Sequence, residues 1–186
     1  MKITPTAIAD VMLIAPTVSA DSRGFFYESF NQRALHDSTG LDLNFVQDSH
    51  SRSRLGVLRG MHFQSPQAQG KLVRVVQGTV QDVAVDLRPD SPTQGQYVST
   101  LLTQDEHALV WIPAGFAHGF LVLSDSADVV YKTTGYYAPQ HEHCLAWNDP
   151  SVAIAWQSST APLLSAKDQS GLALASALAA VKQACR

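Results

Sequence analysis

The chain has 186 residues, of which 45% are hydrophobic and 16% are charged. That balance supports a packed globular core and excludes a disordered chain. Lysine and arginine number 13 against 16 acidic residues, and like charges form no run, so nothing indicates a nucleic-acid partner. No segment reaches the roughly 18–20 apolar residues of a membrane span, so we predict no membrane partner either.

The N-terminal segment and the cysteines favour a cytoplasmic protein. The short apolar run Val11–Ala15 lacks the basic flank of a secretory signal. Cys144 and Cys185 lie far apart in the sequence, which is typical of reduced thiols, with a disulfide between them as the alternative. The length predicts one domain over residues 1–186.

Most of the chain is predicted to form short β-strands separated by turns. Valine and other β-forming residues fill these segments, and Gly, Pro, Asp and Ser fill the breaks. Regularly spaced strands without intervening helices favour an all-β sandwich or barrel, most simply a jelly roll. The predicted strands are Asn44–His50, Val57–Phe63, Lys71–Gln77, Val80–Leu87, Gln96–Leu102, Ala108–Ile112, Gly119–Leu123, Asp128–Thr134 and Ala153–Trp156.

Two segments are predicted to form short peripheral helices. Glu28–Ser38 is followed by Gly40, a residue type that often ends a helix. Gly171–Arg186 is rich in alanine and leucine, and it is predicted to cap the barrel as a C-terminal helix.

Strand periodicity predicts a lysine in the barrel interior. Lys71 alternates with Val73 and Val75, so its side chain shares an otherwise apolar face. In the next strand, Asp82 and Asp86 share one face and valines occupy the other. A fixed positive charge inside a barrel is suited to stabilising an oxyanion.

His62 is the leading candidate for a general base, because imidazole titrates near neutrality. A hydrogen-bonded strand histidine without a catalytic role is the alternative. Arg59 points away from His62 in a regular strand, so both side chains reach one site only if Gly60 breaks the pleat. A base beside the cation of Lys71 can remove a proton from a carbon next to a carbonyl.

A second histidine follows a turn, in a segment that resembles the second short motif of the cupin superfamily, Pro113-Ala-Gly-Phe-Ala-His118. Metal-binding cupins carry H-x-H in their first motif, whereas this chain has His62-Phe-Gln64. We therefore favour a metal-free cupin over a metal-dependent one. His141–Cys144 also contains metal-ligand types, but a solvated loop is favoured, with Glu142 still able to reach a ligand.

Further candidates lie outside these segments. Tyr131 is predicted on a strand, where a phenol either packs or donates a proton to a carbanion. Ser165 and Asp168 precede the last helix and either cap it or, for Asp168, orient His62. Arg23 lies in a predicted loop and suits a phosphate, with an ordinary surface ion pair as the alternative.

Several motifs in one order resemble the dTDP-4-dehydrorhamnose 3,5-epimerase family over residues 21–168. They are Asp21-x-Arg-Gly-x-Phe, Gln47-Asp-x-His-Ser, Arg59-Gly-x-His-x-Gln, Gln69-Gly-Lys-Leu-Val-Arg-Val, Asp86-Leu-Arg-x-x-Ser-Pro-Thr, Pro113-x-Gly-Phe-Ala-His-Gly-Phe, Tyr131-Lys-x-Thr and Leu164-Ser-x-Lys-Asp.

The resemblance implies a cupin jelly roll that needs neither metal nor organic cofactor and acts as a homodimer on a dTDP-4-keto-6-deoxyhexose. It implies His62 as proton acceptor, Asp168 as its partner, Tyr131 as proton donor from the opposite side and Lys71 near the enolate. The substrate-binding residues that it implies are Gln47, Asp48, Ser49, Arg59, His118, Glu142 and Lys167, together with Arg23, Phe25 and Glu28 from the N-terminal segment that this family exchanges between subunits.

The implied reaction inverts C3 and C5 of dTDP-4-dehydro-6-deoxy-D-glucose and gives dTDP-4-dehydro-L-rhamnose. Both carbons flank the 4-keto group, so loss of either proton gives an enolate, and reprotonation on the other face inverts the centre. No redox step occurs, and no Gly-x-Gly-x-x-Gly motif follows a strand. Ser49 stands where the family usually has Asn, which replaces an amide by a hydroxyl at one substrate contact.

Three alternatives stay open at this point. A single-position epimerase or 3,4-ketoisomerase would use the same scaffold, although a donor on the opposite face favours the epimerases. A non-catalytic nucleotide-sugar-binding cupin would need neither His62 nor Tyr131. A metal-dependent cupin would need a ligand where Gln64 stands.

Overall fold

The computed structural model describes residues 1–158 and 160–184, and it is built mainly from strands. The strands are β1 Lys2–Pro5, β2 Met12–Ala15, β3 Ser19–Asp21, β4 Gly24–Phe26, β5 Gln47–Arg54, β6 Leu58–Gln64, β7 Lys71–Gln77, β8 Thr79–Asp86, β9 Tyr97–Thr103, β10 Leu109–Ile112, β11 Phe116–Val122, β12 Ser126–Thr133 and β13 Glu142–Cys144. The α-helices are α1 Gln32–Thr39, α2 Ala166–Gln169 and α3 Leu174–Ala184, and Pro139–His141 forms a 3₁₀ turn.

Two antiparallel sheets face each other and enclose the main core. The first sheet has the strand order β1-β2-β10-β7-β12-β5, and the second has the order β13-β6-β11-β8-β9. Inward side chains of both sheets, such as Val75, Val110, Leu102 and Phe120, belong to one buried apolar cluster. The predicted all-β cupin jelly roll with short peripheral helices is confirmed.

The helices lie on the outer faces of the two sheets. Leu35 of α1 packs against Trp111 of the first sheet, and Ala177 and Val181 of α3 pack in the cluster on the second sheet. Gly40 ends α1 in the left-handed conformation, with φ 71°, as predicted. None of the helices in the described ranges has the length and hydropathy that a membrane crossing requires.

The helix bounds differ from the predictions at their ends. The first helix begins at Gln32 rather than Glu28, because the Asn31 side chain accepts a hydrogen bond from the Ala34 amide and so caps it. The C-terminal helix begins at Leu174 rather than Gly171. Residues 185 and 186, which include the predicted reduced cysteine at 185, lie outside the described residues.

One predicted strand is wrong and another is displaced. Ala153–Trp156 is not a strand, because its backbone is held by the side chain of Gln81, whose Nε2 donates to the Ala155 carbonyl at 2.9 Å. The strand predicted at Asn44–His50 lies instead at Gln47–Arg54, paired with β12 along its length. Its alternating polar residues are hard to distinguish from a loop, since their inward face meets a cavity rather than an apolar core.

A bulge between β6 and β11 brings two side chains of β6 to the same cavity. His62 pairs with His118 and Arg59 pairs with Phe120, so two residues of β6 face the single Gly119. Gly60 has φ 121°, and a Cβ there would lie 2.5 Å from the Gly119 Cα. Arg59 and His62 were predicted to reach one site only if Gly60 breaks the pleat. The structure has this break at Gly60.

Gly60→Ala should destabilise the protein by at least about 2 kcal/mol, because it combines a strained positive φ with a backbone clash. Gly135→Ala is the matched control, since its Cβ would meet only the Gln69 Cγ, at 3.6 Å, and should change stability by less than about 0.5 kcal/mol. Urea unfolding of both variants measures the difference. Equal stabilities would contradict the close approach of β6 and β11.

Candidate active site

A cavity of about 380 Å³ opens between the two sheets and collects most of the predicted site residues. Its polar lining comes from strands of both sheets and from the segment after β12. The predicted residues that line it are Gln47, Ser49, Arg59, His62, Lys71, His118, Tyr131 and Glu142.

His62 is joined to Asp168 behind the cavity wall. His62 Nε2 lies 2.6 Å from Asp168 Oδ1, and the Ser165 hydroxyl donates to Asp168 Oδ2 at 2.7 Å. Burial alone would raise the pKa of Asp168, but the hydrogen bonds from His62 and Ser165 outweigh it, so the pKa is lowered. Ser165 also accepts from the Asp168 amide as the N-cap of α2, so capping and orientation of His62 coexist here.

His62 and Tyr131 lie on facing walls of the cavity. His62 belongs to β6 of the second sheet, whereas Tyr131 belongs to β12 of the first sheet. Both line the same cavity. A ring bound between the sheets would therefore meet an imidazole on one side and a phenol on the other.

Lys71 is buried in the barrel interior. Its Nζ donates to the His62 carbonyl at 3.2 Å, and the residue is 9% exposed. Burial lowers the pKa of Lys71 to about 8, although the carboxylates of Asp82 and Glu142 partly oppose this shift. The ammonium group is therefore a poorly solvated positive charge beside the candidate base.

A second histidine–aspartate pair lies next to the first. His118 pairs with His62 across β11 and β6, and His118 Nε2 lies 2.8 Å from Asp82 Oδ2. Both side chains are buried. Asp82 was not predicted as a site residue. The sequence feature that could have indicated it is a carboxylate on the inward face of a valine-rich strand.

The mouth of the cavity carries exposed polar and aromatic groups. Arg59 donates from Nε to Ser53 Oγ at 2.8 Å, and it forms no ion pair within the described residues. On another side, the Tyr137 hydroxyl donates to Glu142 Oε2 at 2.5 Å, and Lys167 pairs with Glu142 Oε1. Burial opposes ionisation of Glu142, yet the hydrogen bonds from Lys167 and Tyr137 lower its pKa.

The segment His141–Cys144 is not the solvated loop that we favoured. Its last three residues form β13, in which Glu142 pairs with Gln64 and Cys144 pairs with His62. Cys144 has a free, buried thiol, and its Sγ lies 3.9 Å from Asp168 Oδ1. Burial is the main cause that raises the pKa of Cys144 to about 12, and the negative charge of Asp168 is the second.

Gln64, which stands where metal-binding cupins have a ligand, has a structural role. Its Nε2 donates to the Gln67 carbonyl at 2.9 Å, and its Oε1 accepts from the Ala138 amide at 2.9 Å. The side chain thereby ties two loops together at the edge of the cavity.

Five predicted binding residues do not line this cavity within the chain, although one of them, Lys167, pairs with the lining residue Glu142. Asp48 lies on the other face of β5 and pairs with Lys132 at 2.9 Å. Arg23, Phe25 and Glu28 lie in or after the β3–β4 hairpin, away from the cavity, where Arg23 pairs with Asp21. Their binding roles stay predictions.

Comparison with known proteins identifies close relatives of the chain. The family described as dTDP-4-dehydrorhamnose 3,5-epimerase matches residues 5–176. The dTDP-4-dehydrorhamnose 3,5-epimerase of Pseudomonas aeruginosa is 57% identical over 177 residues, which cover 95% of this chain and 98% of that protein.

Solved structures of similar proteins have the same fold. The dTDP-6-deoxy-D-glucose-3,5-epimerase of Legionella pneumophila, in complex with dTDP-4-keto-L-rhamnose, is 48% identical with a TM-score of 0.91, covering 94% of this chain and 93% of that one. ChmJ, a 3′-monoepimerase of Streptomyces bikiniensis in complex with dTDP-quinovose, is 33% identical with a TM-score of 0.89, covering 97% and 94% of the two chains.

Lys71→Met should stabilise the ligand-free protein by up to about 3 kcal/mol at pH 7, since each unit of pKa depression corresponds to about 1.36 kcal/mol. Between the folded pKa of about 8 and the ordinary lysine pKa of 10.5, the unfolded chain binds more protons, so wild-type stability rises with pH. The advantage of the variant should therefore shrink from pH 8 to pH 10. Urea unfolding of both proteins across this range measures it, and a difference that is independent of pH would contradict the burial of a charged Lys71.

Proposed function

The chain belongs to the dTDP-4-dehydrorhamnose 3,5-epimerase family of sugar-nucleotide epimerases, and we propose that it inverts C3 and C5 of dTDP-4-dehydro-6-deoxy-D-glucose to give dTDP-4-dehydro-L-rhamnose. The observation that carries this proposal is the position of His62 and Tyr131 on facing walls of one cavity, with Lys71 buried beside them. Higher identity to 3,5-epimerases than to the 3′-monoepimerase supports inversion at both carbons.

The proposed chemistry consists of two proton transfers at each carbon. His62, held by Asp168, removes the proton of a carbon next to the 4-keto group. The negative charge moves to O4, where the ammonium group of Lys71 stabilises it in a site of low dielectric. Tyr131 then donates its proton to the opposite face of the carbon.

Water restores both groups for the second inversion, because the imidazolium ion loses one proton and the phenolate gains one. The steps balance without an oxidant or a reductant.

The burial gradient of the cavity supports one orientation of the substrate. Lys71 and His118 are buried at its inner end, whereas Arg59 and Tyr137 are exposed at its mouth. The uncharged hexose ring suits the inner end, and the diphosphate suits the guanidinium group of Arg59. Glu142 and Lys167 would contact the nucleotide-sugar near Tyr137.

A homodimer would bring the remaining predicted residues to a cavity. The β3–β4 hairpin forms its own small sheet, and Phe25 and Phe26 are 61% and 73% exposed there. Exposed aromatic groups on a separate hairpin suit insertion into a partner. Arg23, Phe25 and Glu28 would then act at the neighbouring subunit's site.

The single domain predicted for residues 1–186 and the cytoplasmic location belong to the same proposal. The free thiol of Cys144 supports that location, because reduced cysteines are typical of reducing compartments.

Purified protein incubated with dTDP-4-keto-6-deoxyglucose in deuterated water should incorporate deuterium at C3 and C5, detected by NMR. His62→Ala should lower this exchange by about 10²–10⁴-fold, the usual contribution of a general base. Tyr131→Phe should retain exchange but lose inversion, because proton removal does not need the opposite-face donor. His36→Ala, an exposed histidine of α1, is the matched control and should keep full activity.

The same spectra separate the alternatives. Exchange and inversion at one carbon would indicate a single-position epimerase, and migration of the carbonyl would indicate a ketoisomerase. Binding of dTDP without any exchange would indicate a nucleotide-sugar-binding protein, and full exchange in His62→Ala would remove the proposed base.

Exchange of the hairpin between subunits predicts complementation of two inactive variants. Arg23→Ala and His62→Ala homodimers each lack one element of every site, but a mixed dimer would contain one intact site. Unfolding and refolding the two together at equal amounts should restore about a quarter of wild-type activity, because half of the dimers are mixed and each has one working site of two. No recovery, from subunits that form mixed dimers by mass spectrometry, would show that Arg23 does not act across the interface.

A further inference from the structure

The strand β5 presents a row of polar side chains to the cavity side, and one of them has no partner. Gln47 Nε2 donates to Ser49 Oγ at 3.2 Å, and Ser53 Oγ accepts from Arg59 Nε at 2.8 Å. Between them, Ser51 lines the cavity, and its Oγ is shielded from solvent without a hydrogen-bond partner in the described residues. A buried hydroxyl in this state is unusual in native proteins.

The neighbours of Ser51 offer no internal partner for its hydroxyl. Its cross-strand neighbour on β12 is Val129, which presents only methyl groups. An alanine would fill this position without leaving a buried donor unpaired, and so it would favour the ligand-free fold. A hydroxyl held here is explained if it bonds a ligand in the cavity.

The position of Ser51 along β5 selects the part of the ligand. Ser49 pairs with Tyr131 on β12, and Ser53 contacts Arg59. Because a strand rises about 3.3 Å per residue, the Cα atom of Ser51 lies roughly 7 Å from the Cα atoms of Ser49 and Ser53. It therefore stands between the wall where the hexose would react and the guanidinium group at the mouth.

We propose that the Ser51 hydroxyl donates a hydrogen bond to a diphosphate oxygen of the nucleotide sugar, next to Arg59. This inference rests on the proposed function, because it names a contact within the nucleotide-sugar site. The contact fixes the register of the diphosphate between Arg59 and the reacting ring, and it adds a neutral donor to the charge of the guanidinium group.

The test compares wild type, Ser51→Ala and Ser51→Thr with two ligands. Ser51→Ala should weaken dTDP binding about ten-fold or more in calorimetry, the effect of losing a hydrogen bond to a charged group. Thymidine, titrated by NMR, lacks the diphosphate and should bind both proteins equally. Ser51→Thr keeps the hydroxyl, so its dTDP affinity should stay within about three-fold of wild type. Ser38→Ala, on the exposed face of α1, is the control and should bind dTDP as wild type does.

Thermal unfolding gives a second readout that a structural hydroxyl would not produce. Ser51→Ala should raise the melting temperature of the ligand-free protein by about 2–4 °C, because it removes an unpaired buried group. The stabilisation that added dTDP provides should become smaller in the same variant.

Several results would overturn the contact. One is an unchanged dTDP affinity in Ser51→Ala. An equal loss of thymidine affinity would move the contact to the nucleoside. A loss of affinity seen only with the complete nucleotide sugar would move the contact to the hexose. Wild type that binds dTDP and epimerises while Ser51→Ala binds equally well would refute this contact alone. Wild type that neither binds nor epimerises would instead refute the proposed function.

Discussion

The burial of the Lys71 ammonium group is the constraint on which the site depends. A charge at this depth is unfavourable for folding, and its lowered pKa records that cost. Asp82 and Glu142 compensate it in part through their negative charges, and neither forms a direct ion pair with it. The ammonium group donates to the His62 carbonyl, and in the proposed reaction its other donors would meet a negative charge that forms only in the transition state.

The two-sheet architecture provides the second requirement, which is access to both faces of one ring. Inversion needs a base and an acid on opposite sides, and a jelly roll offers two facing walls with independent strands. The bulge at Gly60 and Gly119 turns both Arg59 and His62 toward the cavity, and β6 pairs with β11 on both sides of it. Gln64, which stands where metal-binding cupins have a ligand, is bonded to loop backbone on both ends of its amide.

Local patterns in the sequence predicted the apolar strands well and the polar ones poorly. The bounds of β7 were predicted to the residue, because strict alternation around Val73 and Val75 reflects a real interior. β5 was displaced and β13 was missed, since residues that line a cavity do not show the contrast between apolar and polar faces. The pairing of His62 with Asp168 spans 106 residues, and no local pattern encodes such a contact. The fixed order of the sequence motifs identified these residues, but only the folded structure shows how their side chains are arranged.

The proposed reaction requires one ring held between His62 and Tyr131 while Lys71 faces its O4. A crystal structure with the unreactive analogue dTDP-glucose tests it most directly. The account predicts the imidazole and the phenol on opposite faces of the hexose, with Lys71 Nζ within about 3.2 Å of O4. Both rings on one face of the sugar, or an O4 bound by another group with Lys71 out of reach, would contradict it.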